Sequence, residues 1–108
     1  MSVAPFIQTE AELDTLLQSD SPLVVDFTAQ WCGPCRLVAP LMNQLSEQYG
    51  DRARVFKLDL DANKLVAKRF GVKSIPAVMF FKNGELMEIS VGVKTYEEFC
   101  RILETYLD

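Results

Sequence analysis

Two cysteines separated by two residues, Cys32 and Cys35, are the side chains of this chain best suited to do chemistry. That spacing lets the two sulfurs meet across one turn, so the pair can pass between two thiols and a disulfide. The pair stands in Trp31-Cys32-Gly33-Pro34-Cys35, between a predicted strand and a predicted helix. At a helix N-terminus the first cysteine faces unpaired backbone N–H groups and the positive end of the helix dipole. Both favour the thiolate, which is the attacking species in thiol–disulfide exchange. Cys32 should therefore be exposed and reactive. Cys35, one turn further in, should be more buried and able to attack a mixed disulfide formed on Cys32.

Other uses of the pair are weaker. A structural zinc site wants four ligands, and the chain has one pair, a distant Cys100 and no histidine. Haem attachment needs a histidine after the second cysteine, and position 36 is Arg. An inert core pair sits poorly with Gly-Pro on a loop. No metal and no cofactor is expected. Without histidine, proton transfer must use carboxylates, lysines, thiols or water. The count of three cysteines is odd, which does not suit a disulfide-stapled secreted framework. Cys100 falls on the apolar stripe of the last predicted helix, where a free cysteine packs as a small hydrophobe; the alternative is a reactive thiol.

The elements that must hold the pair follow from hydrophobic pattern. The chain has 108 residues, of which 49% are hydrophobic, so residues 1–108 read as a single domain with a real core. Thr9-Glu10-Ala11-Glu12 has the form of a capping box and opens a helix carrying Leu13, Leu16 and Leu17. Leu23-Val24-Val25-Asp26-Phe27 is almost continuously apolar, the pattern of a strand covered on both faces. After the cysteines, Val38, Leu41, Met42, Leu45 and Tyr49 recur at helical spacing, with Pro40 inside the helix, where it should kink it. Residues 53–58 read as a strand. Asp61 is placed to cap a third helix carrying Leu65, Val66 and Phe70 and ending at Gly71. Residues 77–81 and 85–91 read as strands joined through Asn83-Gly84, a hairpin signal. Thr95-Tyr96-Glu97-Glu98 is a second capping box, opening a helix with Tyr96, Phe99, Cys100, Leu103 and Leu107 on one stripe. The resulting order is β-α-β-α-β-α-β-β-α, with no bounds for its leading strand. It suits a mixed sheet with helices on both faces.

The formal charge of −4 argues against nucleic acid or an anionic membrane as partner. No apolar run is long enough to span a bilayer. Residues 1–7 lack the basic patch and apolar stretch of a signal peptide, so a cytoplasmic location is expected.

Taken together, Asp26-Phe27, the Trp-Cys-Gly-Pro-Cys segment, Pro40, Lys57, Gly71, Ile75-Pro76, Lys82-Asn83-Gly84 and Gly92 closely resemble the thioredoxin family over nearly the whole chain. The resemblance implies an α/β thioredoxin fold, with a central mixed five-stranded sheet flanked by four helices. It also implies a cis peptide bond before Pro76, facing the cysteines. The implied activity is protein-disulfide reduction by a monomer. A thioredoxin reductase, dependent on NADPH or ferredoxin, would recycle it, and disulfide-containing proteins would be its clients. In that family an aspartate matching Asp26 assists deprotonation of the second cysteine, with a lysine matching Lys57 near it. Physically, an acid inside an apolar strand should have a raised pKa, and the alternative is a strand residue facing water. Without the resemblance Lys57 would read as a surface lysine. The implied substrate groove is walled by Trp31, Gly33, Pro34, Ile75, Pro76, Val91, Gly92 and Val93. It is small and apolar, with glycines that let another backbone approach.

Two positions depart from the family pattern. Thr28 stands where tryptophan is common, and Ala77 follows the proline where threonine is common. These changes bear on packing beneath the active-site loop, partner preference and redox poise. A competing reading makes the chain a binding module in a larger complex. An oxidoreductase dedicated to one client lies between the two.

Overall fold

The computed structural model describes residues 3–107. Its central sheet is formed by β1 (Phe6–Ile7), β2 (Leu23–Thr28), β3 (Arg54–Asp59), β4 (Ala77–Lys82) and β5 (Glu85–Val91). In space the strands run β1-β3-β2-β4-β5. The first three are parallel to one another, and β4 and β5 are antiparallel additions at the other side. Four helices complete the fold: α1 (Glu10–Leu17), α2 (Cys35–Tyr49), α3 (Lys64–Phe70) and α4 (Tyr96–Tyr106).

The central position of β2 explains its nearly unbroken apolar run. Leu23, Val25 and Phe27 point to one face, where they join Leu13 and Leu16 of α1 and Val66 of α3. Val24 points to the other, into a cluster with Val38, Met42 and Leu45 of α2 and Phe99 and Leu103 of α4. A strand covered on both faces has no side that must be polar. Asp26 shares the second face with Val24, because side chains two apart on a strand point the same way.

Local signals set most boundaries. The α4 capping box is complete: Thr95 Oγ1 accepts the Glu98 N–H at 3.1 Å, and the Glu98 carboxylate accepts the Thr95 N–H at 3.0 Å. At α1 only half the box forms. Thr9 Oγ1 accepts from Glu12 N–H at 3.1 Å, but the Glu12 carboxylate takes the Gln8 N–H instead. Asn83 and Gly84 have φ of 53° and 79°, the two positive values that a tight hairpin between β4 and β5 needs. α2 runs through Pro40 as one helix from Cys35 to Tyr49.

The third helix differs from expectation. It begins at Lys64, and Asp61 does not cap it. Asp59 organises that turn instead, accepting the Asp61 and Ala62 N–H groups at 2.8 and 3.3 Å. Asp61 is thereby left free to bond Trp31, a contact between segments that linear spacing does not encode. The leading strand, for which pattern offered no bounds, is the two-residue β1, recruited by β3 through the Phe6 to Lys57 register. Among the described residues no helix is long and apolar enough to cross a membrane.

Candidate active site

The segment 29–34 carries the chain from the C-terminal end of β2 into α2. It is held by backbone bonds, Cys32 N–H to Ala29 O at 3.2 Å and Arg36 N–H to Gly33 O at 3.0 Å. Cys32 and Cys35 are joined as a disulfide at the start of α2. The Cys35 N–H donates to Cys32 Sγ at 3.2 Å. That donor and the helix N-terminus favour negative charge on this sulfur once the disulfide opens. Cys35 is 1% exposed, as expected of the inner cysteine. Cys32, expected to be exposed, is only 5% exposed in this oxidised form. Its sulfur is bonded to Cys35, and Ala29, Leu60 and Ile75 pack around the pair.

The remaining residues fall on two sides of this disulfide. On the outer side Trp31 is 66% exposed, its indole N–H donating to Asp61 Oδ2 at 2.9 Å. The Ile75-Pro76 bond is cis, and Ile75 packs on the cysteines. Pro76 O accepts the Gly92 N–H at 2.8 Å, which ties the segment before β4 to the one after β5. Gly92 has φ of 95°, a conformation that side chains rarely adopt. Val91 and Val93, flanking it, are exposed, as are Gly33 and Pro34.

On the inner side Asp26 is fully buried. Neither of its carboxyl oxygens has a hydrogen-bond partner among the described residues. An ionised carboxylate there loses its water without gaining donors. Burial therefore pushes its pKa from 3.8 up to about 7, outweighing the opposing pull of Lys57. The alternative of a water-facing strand residue does not hold. Lys57 is not a surface lysine either: it is 7% exposed and lies beside Asp26 in the β2–β3 register. Its ammonium donates to Asn43 Oδ1 at 3.1 Å and stands 5.9 Å from the centre of the Phe6 ring. A cavity of about 320 Å³ opens here, bordered by Thr28, Cys35, Ala39 and Lys57. Thr28, the departure at this position, is a small residue on its wall.

Three contributors escaped sequence reading. Leu60 packs on the cysteines, Asp61 anchors Trp31, and Asn43 holds Lys57. Only Asn43 left a usable signal, since it lies eight residues after Cys35 and so on the same stripe of α2. Cys100 is half-buried against the α2–α4 cluster, away from the pair. Among the described residues no three Cys, Asp or Glu side chains are grouped as metal ligands.

A redox-active cysteine pair at a helix N-terminus, set on this five-stranded sheet, defines a thiol-disulfide oxidoreductase. The family model described as Thioredoxin matches residues 4–105. A curated thioredoxin of Synechocystis sp. is 39% identical over 107 residues, covering 99% of this chain and 100% of its own. Thioredoxin 1 of Synechococcus elongatus is 38% identical over the same shares. Among solved structures, a mutant thioredoxin of Halobacterium salinarum superposes with TM-score 0.90 at 33% identity, covering 100% of this chain and 96% of that one. Malassezia sympodialis thioredoxin superposes with the same TM-score at 26% identity, covering 98% and 92%. The chain belongs to the thioredoxin family, and its activity is dithiol–disulfide exchange. Its partners in general are a reductase and proteins bearing disulfides.

Proposed function

We propose that Cys32 is the attacking thiol and Cys35 the resolving thiol of a general protein-disulfide reductase. The observation that carries this assignment is the position of the disulfide, with Cys32 Sγ receiving the Cys35 N–H at 3.2 Å. In the reduced protein the Cys32 thiolate attacks one sulfur of a client disulfide. The Cys32–client bond forms, the client S–S bond breaks, and the departing client sulfur takes a proton. Cys35, deprotonated, then attacks Cys32 Sγ. The Cys32–Cys35 bond forms, and the second client sulfur leaves as a thiolate and is protonated. The client has gained two electrons and two protons, and the protein is oxidised to the disulfide.

Asp26 is the group that accepts the Cys35 proton. A pKa of about 7 leaves it comparably populated in both states at neutral pH, which suits transfer in either direction. Lys57 tunes it through its charge. Trp31, Gly33, Pro34, Ile75, Pro76, Val91, Gly92 and Val93 form the surface on which an extended client segment lies. Its apolar, glycine-containing character supports contact with client backbone and makes little demand on client sequence. The protein acts as a single-domain monomer in the cytoplasm, maintaining thiols and donating electrons to client enzymes. A thioredoxin reductase drawing on NADPH or ferredoxin returns it to the dithiol.

Dithiol-driven reduction of insulin, followed by turbidity, tests the assignment. A rate well above the dithiol background is expected, falling to background in Cys32→Ser. A parent protein no faster than background would sink the reading.

A further inference from the structure

Lys57 and Asp26 are register partners on adjacent parallel strands, so their side chains leave the same face of the sheet next to each other. Strand neighbours of opposite charge can close into a direct ion pair, yet neither Asp26 oxygen has a hydrogen-bond partner among the described residues. The Lys57 ammonium instead bonds a neutral group, the Asn43 amide oxygen, at 3.1 Å. That same oxygen accepts the Ala4 N–H at 3.0 Å. Two donors converge on one atom, so the amide must present its oxygen and not its NH₂. The backbone bond to Ala4 fixes the amide, and the amide in turn fixes the lysine. Cys35, Ala39 and Asn43 are spaced four apart along α2, so the residue that holds Lys57 shares a stripe with the resolving cysteine.

We propose that Asn43 is a positioning residue for proton transfer, holding the Lys57 ammonium away from contact with Asp26 while keeping its charge nearby. The proposal rests on the assignment of Asp26 as the proton acceptor. A contact ion pair would favour the ionised carboxylate and leave Asp26 unable to hold a proton near neutrality. Removal of the lysine's charge would do the reverse, because burial would then act unopposed. An amide oxygen lies between these limits: it accepts the ammonium's hydrogen bond without neutralising its charge. The other groups around Asp26 offer no substitute. β4 opposes it with Val78, and α2 contributes Cys35, which titrates only once the disulfide is opened. Arg36 and Asp59 stand at the cavity that Lys57 borders, and Lys57 is the charge that acts on Asp26.

The experiment is a carbon-13 NMR titration of the Asp26 carboxyl in the full oxidised chain, in the parent, Asn43→Ala and Asn43→Asp. In Asn43→Ala the lysine is released to its strand neighbour, and Asp26 should titrate about one pH unit lower. In Asn43→Asp the carboxylate keeps both accepted bonds and offsets the lysine's charge, so Asp26 should titrate higher. Because it preserves those bonds, the second variant carries the test if the first fails to fold. Midpoints unmoved in both variants, or a higher midpoint in Asn43→Ala, would overturn the proposal. The pH profile of mixed-disulfide resolution provides the second readout and should move with the Asp26 midpoint. If the carboxyl titration moves and that profile does not, the hold on Lys57 stands and the role of Asp26 as proton acceptor fails.

Discussion

On the outer side of the Cys32–Cys35 disulfide stand Trp31, Val91 and Val93, exposed and apolar, around a bonded Pro76–Gly92 segment. On the inner side lie Asp26 and Lys57, charged and buried. The usual distribution of polar and apolar groups is inverted across the disulfide. Exposed apolar surface is costly to leave open to water and gains by being covered, which is the property of a surface that binds. A buried carboxylate without hydrogen-bond donors is costly in its charged form and gains by taking a proton, which is the property of a group that exchanges one. In the proposed mechanism one side serves recognition and the other proton handling. The disulfide lies between them, and in that mechanism both sides serve its opening and closing.

That division can be broken at several points. The largest effect is expected at Cys35→Ser, which should reduce insulin turnover to background and leave clients attached through Cys32. Gel electrophoresis without reductant, followed by mass spectrometry of the adducts, reads this directly. Adducts on Cys100 instead would show that the chemistry lies on neither side of the pair.

Asp26→Ala tests the inner side. The folded-state pKa lies above the unfolded one, so the carboxyl's contribution to stability is fully present below pH 3.8. It is lost as pH rises towards about 7. At roughly 1.4 kcal/mol per pH unit, the carboxylate costs up to about 4 kcal/mol at pH 8, less what the vacated space costs the variant. Urea denaturation at pH 8 should show the variant more stable by about 2–4 kcal/mol, with that advantage gone near pH 3.5. A variant less stable than the parent at pH 8 would contradict the inner-side account. Resolution of the mixed disulfide should also slow by about a hundredfold or more, the usual worth of a placed proton acceptor.

Trp31→Ala tests the outer side. Loss of this contact surface should lower kcat/KM for a protein client about tenfold, the equivalent of roughly 1.4 kcal/mol of apolar burial. Exchange with a small dithiol, which needs no groove, should be nearly unchanged. An equal loss with both substrates would mean that Trp31 supports the loop and not the client. The smallest effect belongs to Cys100→Ala, which should leave insulin turnover within about twofold and cost about 1 kcal/mol of stability through lost packing. A severalfold drop in turnover would give Cys100 a part in the reaction.

Much of this protein was legible before its fold. The redox pair, the strand and helix that carry it, the hairpin at Asn83-Gly84 and the α4 cap are local patterns, and local patterns persist in three dimensions. Asp26 stood out because an acid in an apolar run either faces water or is buried with a raised pKa. The burial of Lys57 was hidden, since a strand with partly polar pattern does not say which neighbour will cover it. Asp61 was assigned to a cap by its proximity to α3, but no side chain caps that helix: Asp59 holds the turn before it, and Asp61 reaches back to Trp31.

The residues by themselves determined that two thiols would meet, where they would meet, and that an acid would sit in the strand before them. Chain folding alone decided what that acid would feel. Burial raises its pKa and a lysine from the next strand opposes the rise; the parallel β2–β3 pairing sets that lysine beside it, and an amide from α2 holds the ammonium. Spacing along a chain governs which groups share a turn or a face. The field at a buried atom is set by whatever packs against it, and that depends on distances in space which the order of residues does not contain.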